Sequence, residues 1–229
     1  FLSHDARHAL SRTAVWFGYK RYLDLLDPLR RNDQVRVDGS LSNERSRCKE
    51  ALNLAMQGVR VALISSGDSG VYGMAGLALE MWLEKPKQER PSFEVHPGIT
   101  ALITAAAKIG APLMHDFCSI SLSDCLTPWE KIKQRLEAAA KGDFVIALYN
   151  PKSVERNWQL GSAIKILRKY RSSNTPVLFG RQIGRTNEII KLYSLDDFPL
   201  DQVDMLTLIL VGNKETFVKD GWMITPRGY

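Results

Sequence analysis

An apolar run, Val59-Arg60-Val61-Ala62-Leu63-Ile64-Ser65, ends in a turn with glycines at 67, 70, 73 and 76, then enters Leu77-Ala78-Leu79-Glu80-Met81-Trp82-Leu83. A strand that empties into a glycine-dense turn and opens a helix is the repeating unit of an open α/β sheet. Such sheets bind ligands at the carboxyl ends of their strands. Glycines there let a ligand come against bare backbone, or let the helix pack tightly on the strand. Two familiar ligand loops are excluded by spacing. A phosphate-cradling loop closes on Lys-Ser/Thr, which is absent. A dinucleotide fingerprint needs G-x-G-x-x-G, and Asp68 inside the turn would repel a pyrophosphate. A ligand with a positive or neutral polar group near Asp68 fits better; a pure packing turn is the alternative.

The same unit recurs along the chain. Periodicity predicts a helix over the first dozen residues, a strand over 13–19, a helix over 42–57 ended by Gly58, and the strand at 59–65. A helix over 74–84, a short strand over 93–96 and an Ala-rich helix over 100–109 follow. Gly110-Ala111-Pro112 marks a lobe boundary, giving lobes 1–112 and 113–229. The second lobe reads as strands at 118–122, 144–149, 176–179, 188–193 and 205–211 with helices at 128–140 and 158–170. The chain opens on a helix, so a central first strand is expected to lie outside it.

The formal charge of +6 points to an acidic partner, either nucleic acid or a small polyanion. Basic residues are scattered and lack the interleaved aromatics of a base-stacking surface. No apolar run approaches the roughly 20 residues of a membrane span, and no signal segment opens the chain. The three cysteines form no C-x-x-C pair, which argues against a disulfide framework or zinc site and for a cytoplasmic protein. His4 and His8 share a helix face without a third ligand, so no metal site is expected.

Other polar segments sit at strand ends. His96-Pro97-Gly98-Ile99-Thr100-Ala101 turns into a helix N-terminus on the rim expected for the glycine turn. Between 113 and 124 the chain places His115, Asp116, Ser119, Ser121, Ser123 and Asp124 near the lobe boundary. The three serines alternate onto one strand face, which fits either a polar pocket or a half-exposed edge strand. Tyr149-Asn150-Pro151 and Gly180-Arg181-Gln182-Ile183-Gly184-Arg185 end two further strands.

Together, residues 62–73, Pro97-Gly98-Ile99-Thr100-Ala101 and Ala147-Leu148-Tyr149-Asn150-Pro151 resemble the tetrapyrrole methyltransferases of cobalamin biosynthesis, which use S-adenosylmethionine. Within that family, residues 110–118, 121–124, 126–129 and the terminal Thr225-Pro226-Arg227-Gly228-Tyr229 are similar to the branch that methylates carbon 17 of precorrin-3B and contracts the ring. The resemblance implies a two-lobed α/β fold, mainly parallel in the first lobe and mixed in the second, and a homodimer. The cofactor would lie in a cleft between the lobes, touching Gly67, Asp68, Val71, Thr100, Ala101, Tyr149, Gly184 and Thr225. The family begins with a strand and a G-x-G-P-G loop, and Phe1 follows that point.

Ring contraction needs protons moved, so Asp124, His115, Ser121 and Ser123 are the acid/base candidates. Lys20, Arg21, Arg45 and Arg47 are candidate clamps for the carboxylates of the tetrapyrrole. Two other readings stay open: a ribosomal RNA methyltransferase of the same fold, and a non-catalytic tetrapyrrole-binding lobe of a fused protein.

Overall fold

The computed structural model describes residues 2–40, 43–153 and 155–228. The chain divides into two compact units, Phe1–Thr100 and Ala101–Tyr229.

The first unit begins with α1 (His4–Arg12), whose start is fixed by Ser3: its side chain accepts from the Ala6 N–H at 3.3 Å. Then come β1 (Val15–Tyr19), α2 (Lys20–Leu26), β2 (Val35–Gly39), α3 (Glu44–Met56), β3 (Val61–Ile64) and α4 (Ala75–Leu83). The strands form one parallel sheet in the order β2-β1-β3. Burial explains that order: Trp16 and Phe17 of β1 are 1 % and 2 % exposed, as a central strand covered on both faces requires. β2 is an edge strand that sequence periodicity does not show, because Arg36 and Asp38 give it the charge of a loop. In the fold Arg36 pairs with Asp24, Asp27 and Asp38, which neutralises it at the sheet edge. The strand expected over 93–96 is not formed. A four-residue run becomes a strand only when a neighbouring edge takes its N–H and C=O groups, and among the described residues none does.

The second unit contains α5 (Ala101–Ile109), β4 (Gly110–Ala111), β5 (Phe117–Ser121), α6 (Trp129–Lys141), β6 (Val145–Tyr149), α7 (Gln159–Leu167), β7 (Pro176–Arg181), β8 (Ile189–Ser194), β9 (Thr207–Val211), β10 (Phe217–Lys219) and β11 (Trp222–Ile224). Its main sheet has the order β5-β6-β9-β7-β8, with β5 and β6 parallel and the other pairs antiparallel. The period of two sorts β6 between two cores. Ile146 and Leu148 pack with Ile132, Leu136, Ile164 and Leu167 of α6 and α7. Val145 and Ala147 join Leu102 and Ala105 of α5 together with Leu178 and Leu210. Helix α5 therefore belongs to the second unit, twelve residues upstream of the boundary expected at 112/113, because its apolar face is consumed by that sheet. The parallel first sheet and mixed second sheet agree with the expected fold class. No described helix is long and apolar enough to cross a membrane.

Candidate active site

The first glycine turn is held by its own backbone and one carboxylate. Gly67 adopts φ 68°, the left-handed region that glycine enters without a side-chain clash. The Val71 N–H donates to the Asp68 carbonyl at 3.2 Å, and the Ala75 N–H to the Ser69 carbonyl at 3.0 Å. Ser65 Oγ accepts from the Met74 N–H at 3.1 Å, satisfying a donor at the start of α4. Asp68 Oδ1 accepts from the Gly70 N–H at 2.8 Å, and its Oδ2 accepts from the Gly98 N–H at 3.0 Å.

That second bond joins two turns that are 30 residues apart in the chain. The approach is close enough that a Cβ on Gly98 would lie 2.0 Å from the Gly67 carbonyl oxygen. Ser3 Oγ also donates to the Pro97 carbonyl at 2.8 Å. The turns at 67–74 and 96–100 thus form one rim beyond the C-terminal end of β3, as their sequences suggest. Val71, Tyr72 and Ile99 stand exposed on it, so the rim offers apolar side chains beside bare backbone. Thr100 is half-buried at its end. A glycine-lined, backbone-to-backbone contact with flanking apolar side chains fits an uncharged adenosine-like body better than a phosphate.

In the second unit the acid/base candidates separate. Ser121 Oγ accepts from Asn150 Nδ2 at 3.0 Å and from the Ser123 N–H at 3.3 Å. Asp124 Oδ2 accepts from Gln159 Nε2 at 3.0 Å. Ser121, Ser123 and Asp124 are thus gathered where β5 ends and α7 begins. His115 is not tied to them by any hydrogen bond among the described residues; its Nδ1 accepts from the Asp116 N–H at 2.8 Å. The β5 strand is an edge strand with Ile120 inward and Ser119 outward, the arrangement that the edge-strand reading of the serine row expects.

Of this cluster, Gln159 escapes sequence reasoning and Asn150 is legible only as a strand-end residue. Gln159 is 2 % exposed, and its Oε1 has no donor among the described residues. Its burial is a tertiary fact with no sequence signal. Asn150 adopts φ 50°, a conformation Asn tolerates better than most residues, and that is a usable signal. Tyr149, at the end of β6, accepts from the Leu102 N–H at 3.0 Å, capping α5 beside Ala101. Gly184 adopts φ 76° and donates its N–H to Glu188. Thr225 is 0 % exposed, its hydroxyl shares a 2.8 Å hydrogen bond with Thr216, and its N–H donates to the Ala111 carbonyl at 3.2 Å.

The basic candidates differ from four exposed clamps. Arg21 and Arg45 are exposed. Lys20 pairs with Asp24 at 3.2 Å. Arg47 is 6 % exposed, because residues 47, 48 and 51 form the inward face of α3. It donates to the Ser40 carbonyl and to Met74 Sδ, and its Nε lies against Gly39, without a partner among the described residues.

The chain matches the family model of tetrapyrrole (corrin/porphyrin) methylases over residues 2–199. It is 47 % identical over 228 residues to a probable cobalt-factor III C(17)-methyltransferase of Salmonella typhimurium, covering 100 % of this chain and 93 % of that protein. It is 43 % identical over 235 residues to a precorrin-3B C(17)-methyltransferase of a Sinorhizobium species, covering 100 % and 91 %. A cobalt-factor III methyltransferase of Priestia megaterium is 47 % identical over 230 residues, and there the chain spans only 42 % of the relative's length. The crystal structure of the methyltransferase CobJ superposes with a TM-score of 0.92 at 36 % identity, covering 98 % of this chain and 93 % of that one. Matched by that family model over most of its length and by relatives at 43 % and 47 % identity across it, the chain belongs to the tetrapyrrole methylase family.

Proposed function

We propose that the chain is an S-adenosylmethionine-dependent methyltransferase of cobalamin biosynthesis, acting on carbon 17 of precorrin-3B or cobalt-factor III, with ring contraction to (cobalt-)precorrin-4. The observation that carries the cofactor part is the joined rim: Gly98 packed on Gly67, with Val71 and Ile99 exposed beside it. Gly67, Val71 and Thr100 are the candidate cofactor residues of the first unit, and Ala101, Tyr149, Gly184 and Thr225 those of the second. When bound, S-adenosylmethionine supplies a methyl group already activated on a sulfonium. What remains for the protein is orientation and exclusion of water, which together supply several kcal/mol of the barrier.

The second task is proton movement during contraction. Asp124 is the base or acid best supported, since Gln159 fixes its carboxylate, while Ser121 is fixed by Asn150. Ser123 and His115 complete the candidate set. The net charge of +6, with Arg21 and Arg45 exposed and Lys20 at the surface, suits a substrate bearing several carboxylates. In this reading the enzyme is a cytoplasmic homodimer without a nucleic-acid or membrane partner.

The test is incubation with S-adenosylmethionine and either precorrin-3B or cobalt-factor III, followed by product mass and spectrum. One added methyl with a contracted ring is expected with one of the two macrocycles. Methyl transfer to ribosomal RNA, with both macrocycles unchanged, would replace this reading by its RNA-modifying alternative.

A further inference from the structure

Asp68 is the one acid in the glycine turn, and its charge invites the idea that it faces the cationic sulfonium directly. The geometry points instead to Asp68 as a positioning residue that clasps the two cofactor turns together, and this inference rests on the rim at 67–74 and 96–100 being the cofactor site.

The carboxylate is used on both oxygens. Oδ1 takes the Gly70 N–H at 2.8 Å and shapes the turn that contains it; Oδ2 takes the Gly98 N–H at 3.0 Å and reaches the other turn. Hydrogen bonds to an ionised acceptor are about twice as strong as neutral ones, so one side chain serves both turns. Its register is fixed by contact as well as charge, because no side chain fits between Gly98 and the Gly67 carbonyl. The Gly98 turn is anchored from its other side by Ser3 Oγ on the Pro97 carbonyl. A carboxylate is the group that this junction requires. Two N–H donors converge on it, and it alone presents an acceptor on both arms; an amide would turn an NH2 toward one of the two backbone donors.

The two roles differ in what they discriminate. A carboxylate that faced the sulfonium would favour the cationic cofactor over its neutral demethylated product. A clasp preserves the shape of the rim and is indifferent to that charge. Calorimetry with S-adenosylmethionine and with S-adenosylhomocysteine, on the wild type and on Asp68→Asn, separates them. The expected result is a loss of about tenfold or more for both ligands, with their affinity ratio unchanged. A loss confined to S-adenosylmethionine would overturn the clasp in favour of direct charge contact. A second measurement needs neither variant nor ligand: in 1H–15N spectra of the wild type, the Gly70 and Gly98 amides should move together as Asp68 is protonated by acid. A Gly98 amide that ignores that titration overturns the inference even if Asp68→Asn fails to fold. Should the wild type bind neither ligand, the cofactor reading of the rim fails, while the amides still decide the clasp.

Discussion

Gln159 donates from Nε2 to Asp124 Oδ2 at 3.0 Å while its own buried Oε1 meets no donor among the described residues. A buried acceptor left without a donor costs about 1–3 kcal/mol. Gln159→Leu removes the orphan acceptor along with the donor. We expect thermal stability to change little and turnover to fall about tenfold, with the affinity for S-adenosylmethionine unchanged. Gln159→Glu sets a second carboxyl beside Asp124, and like charges raise one member of the pair. The acid limb of the pH–rate profile should then move to higher pH. An unmoved limb would remove Asp124 from the proton-transfer assignment.

The four glycines at every third position are not equivalent, and their substitution should rank accordingly. Gly76 lies in α4, exposed, and a Cβ there meets nothing within 4 Å. Gly76→Ala should stabilise the protein by about 0.4–1 kcal/mol, because alanine has less unfolded-state freedom to lose. At Gly73 a Cβ would lie 2.5 Å from the Ser69 carbonyl oxygen, and at Gly98 only 2.0 Å from that of Gly67. Neither backbone oxygen can rotate aside. Gly73→Ala and Gly98→Ala should each destabilise by about 1–3 kcal/mol and weaken cofactor binding, read by thermal unfolding and calorimetry.

This ranking shows where sequence reading succeeds and where it stops. The run into Gly67 is legible because β3 is continuously apolar, with Ile64 buried and Val61, Ala62 and Leu63 half-buried, and its turn needs glycine. Which glycine is indispensable is not legible, since Gly98 is constrained by a carbonyl 31 positions earlier. The strand at 35–39 is hidden by Arg36, whose charge is cancelled by acids at 24, 27 and 38. The run at 93–96 fails in the opposite way: alternation assigns faces to a strand but supplies no neighbouring edge. Arg47 reads as a solvent-facing clamp because Arg is rarely buried, and only the packing of α3 shows that its stem and head go inward.

The Arg36 cluster predicts an acid-labile sheet edge. Hydrogen bonds from Arg36 and Lys20 hold the Asp24 carboxyl below its ordinary range, and Arg30, then Arg36, do the same for Asp27. A carboxylate with a depressed native pKa stabilises the fold above its unfolded pKa of about 3.9, and that contribution is lost as pH falls through the lower native value. Urea midpoints should therefore fall below about pH 4 with a slope that Arg36→Ala flattens. Asp24 is exposed and Asp27 half-exposed, so salt near 1 M, where the screening length is about 3 Å, should weaken the effect.

Arg171 makes the sharpest stability prediction. Its side chain is 0 % exposed and pairs with Asp143 at 2.9 Å. It also donates to the carbonyls of Ala140 at 2.7 Å, Phe144 at 3.0 Å and Gly212 at 3.2 Å. One guanidinium thus ties the end of α6, the entry to β6 and the residue after β9. Burial draws its pKa below the usual arginine value, and the Asp143 charge opposes that shift; arginine nevertheless stays cationic through the working range. Arg171→Met removes the donor to the Phe144 and Gly212 carbonyls and the ion-pair partner of Asp143, and should cost about 3–5 kcal/mol in chemical unfolding. Asp143→Asn leaves the three carbonyl bonds in place, so its cost should be clearly smaller. If instead the two variants lose equal stability, the ion pair and not the carbonyl fork is what holds this corner together.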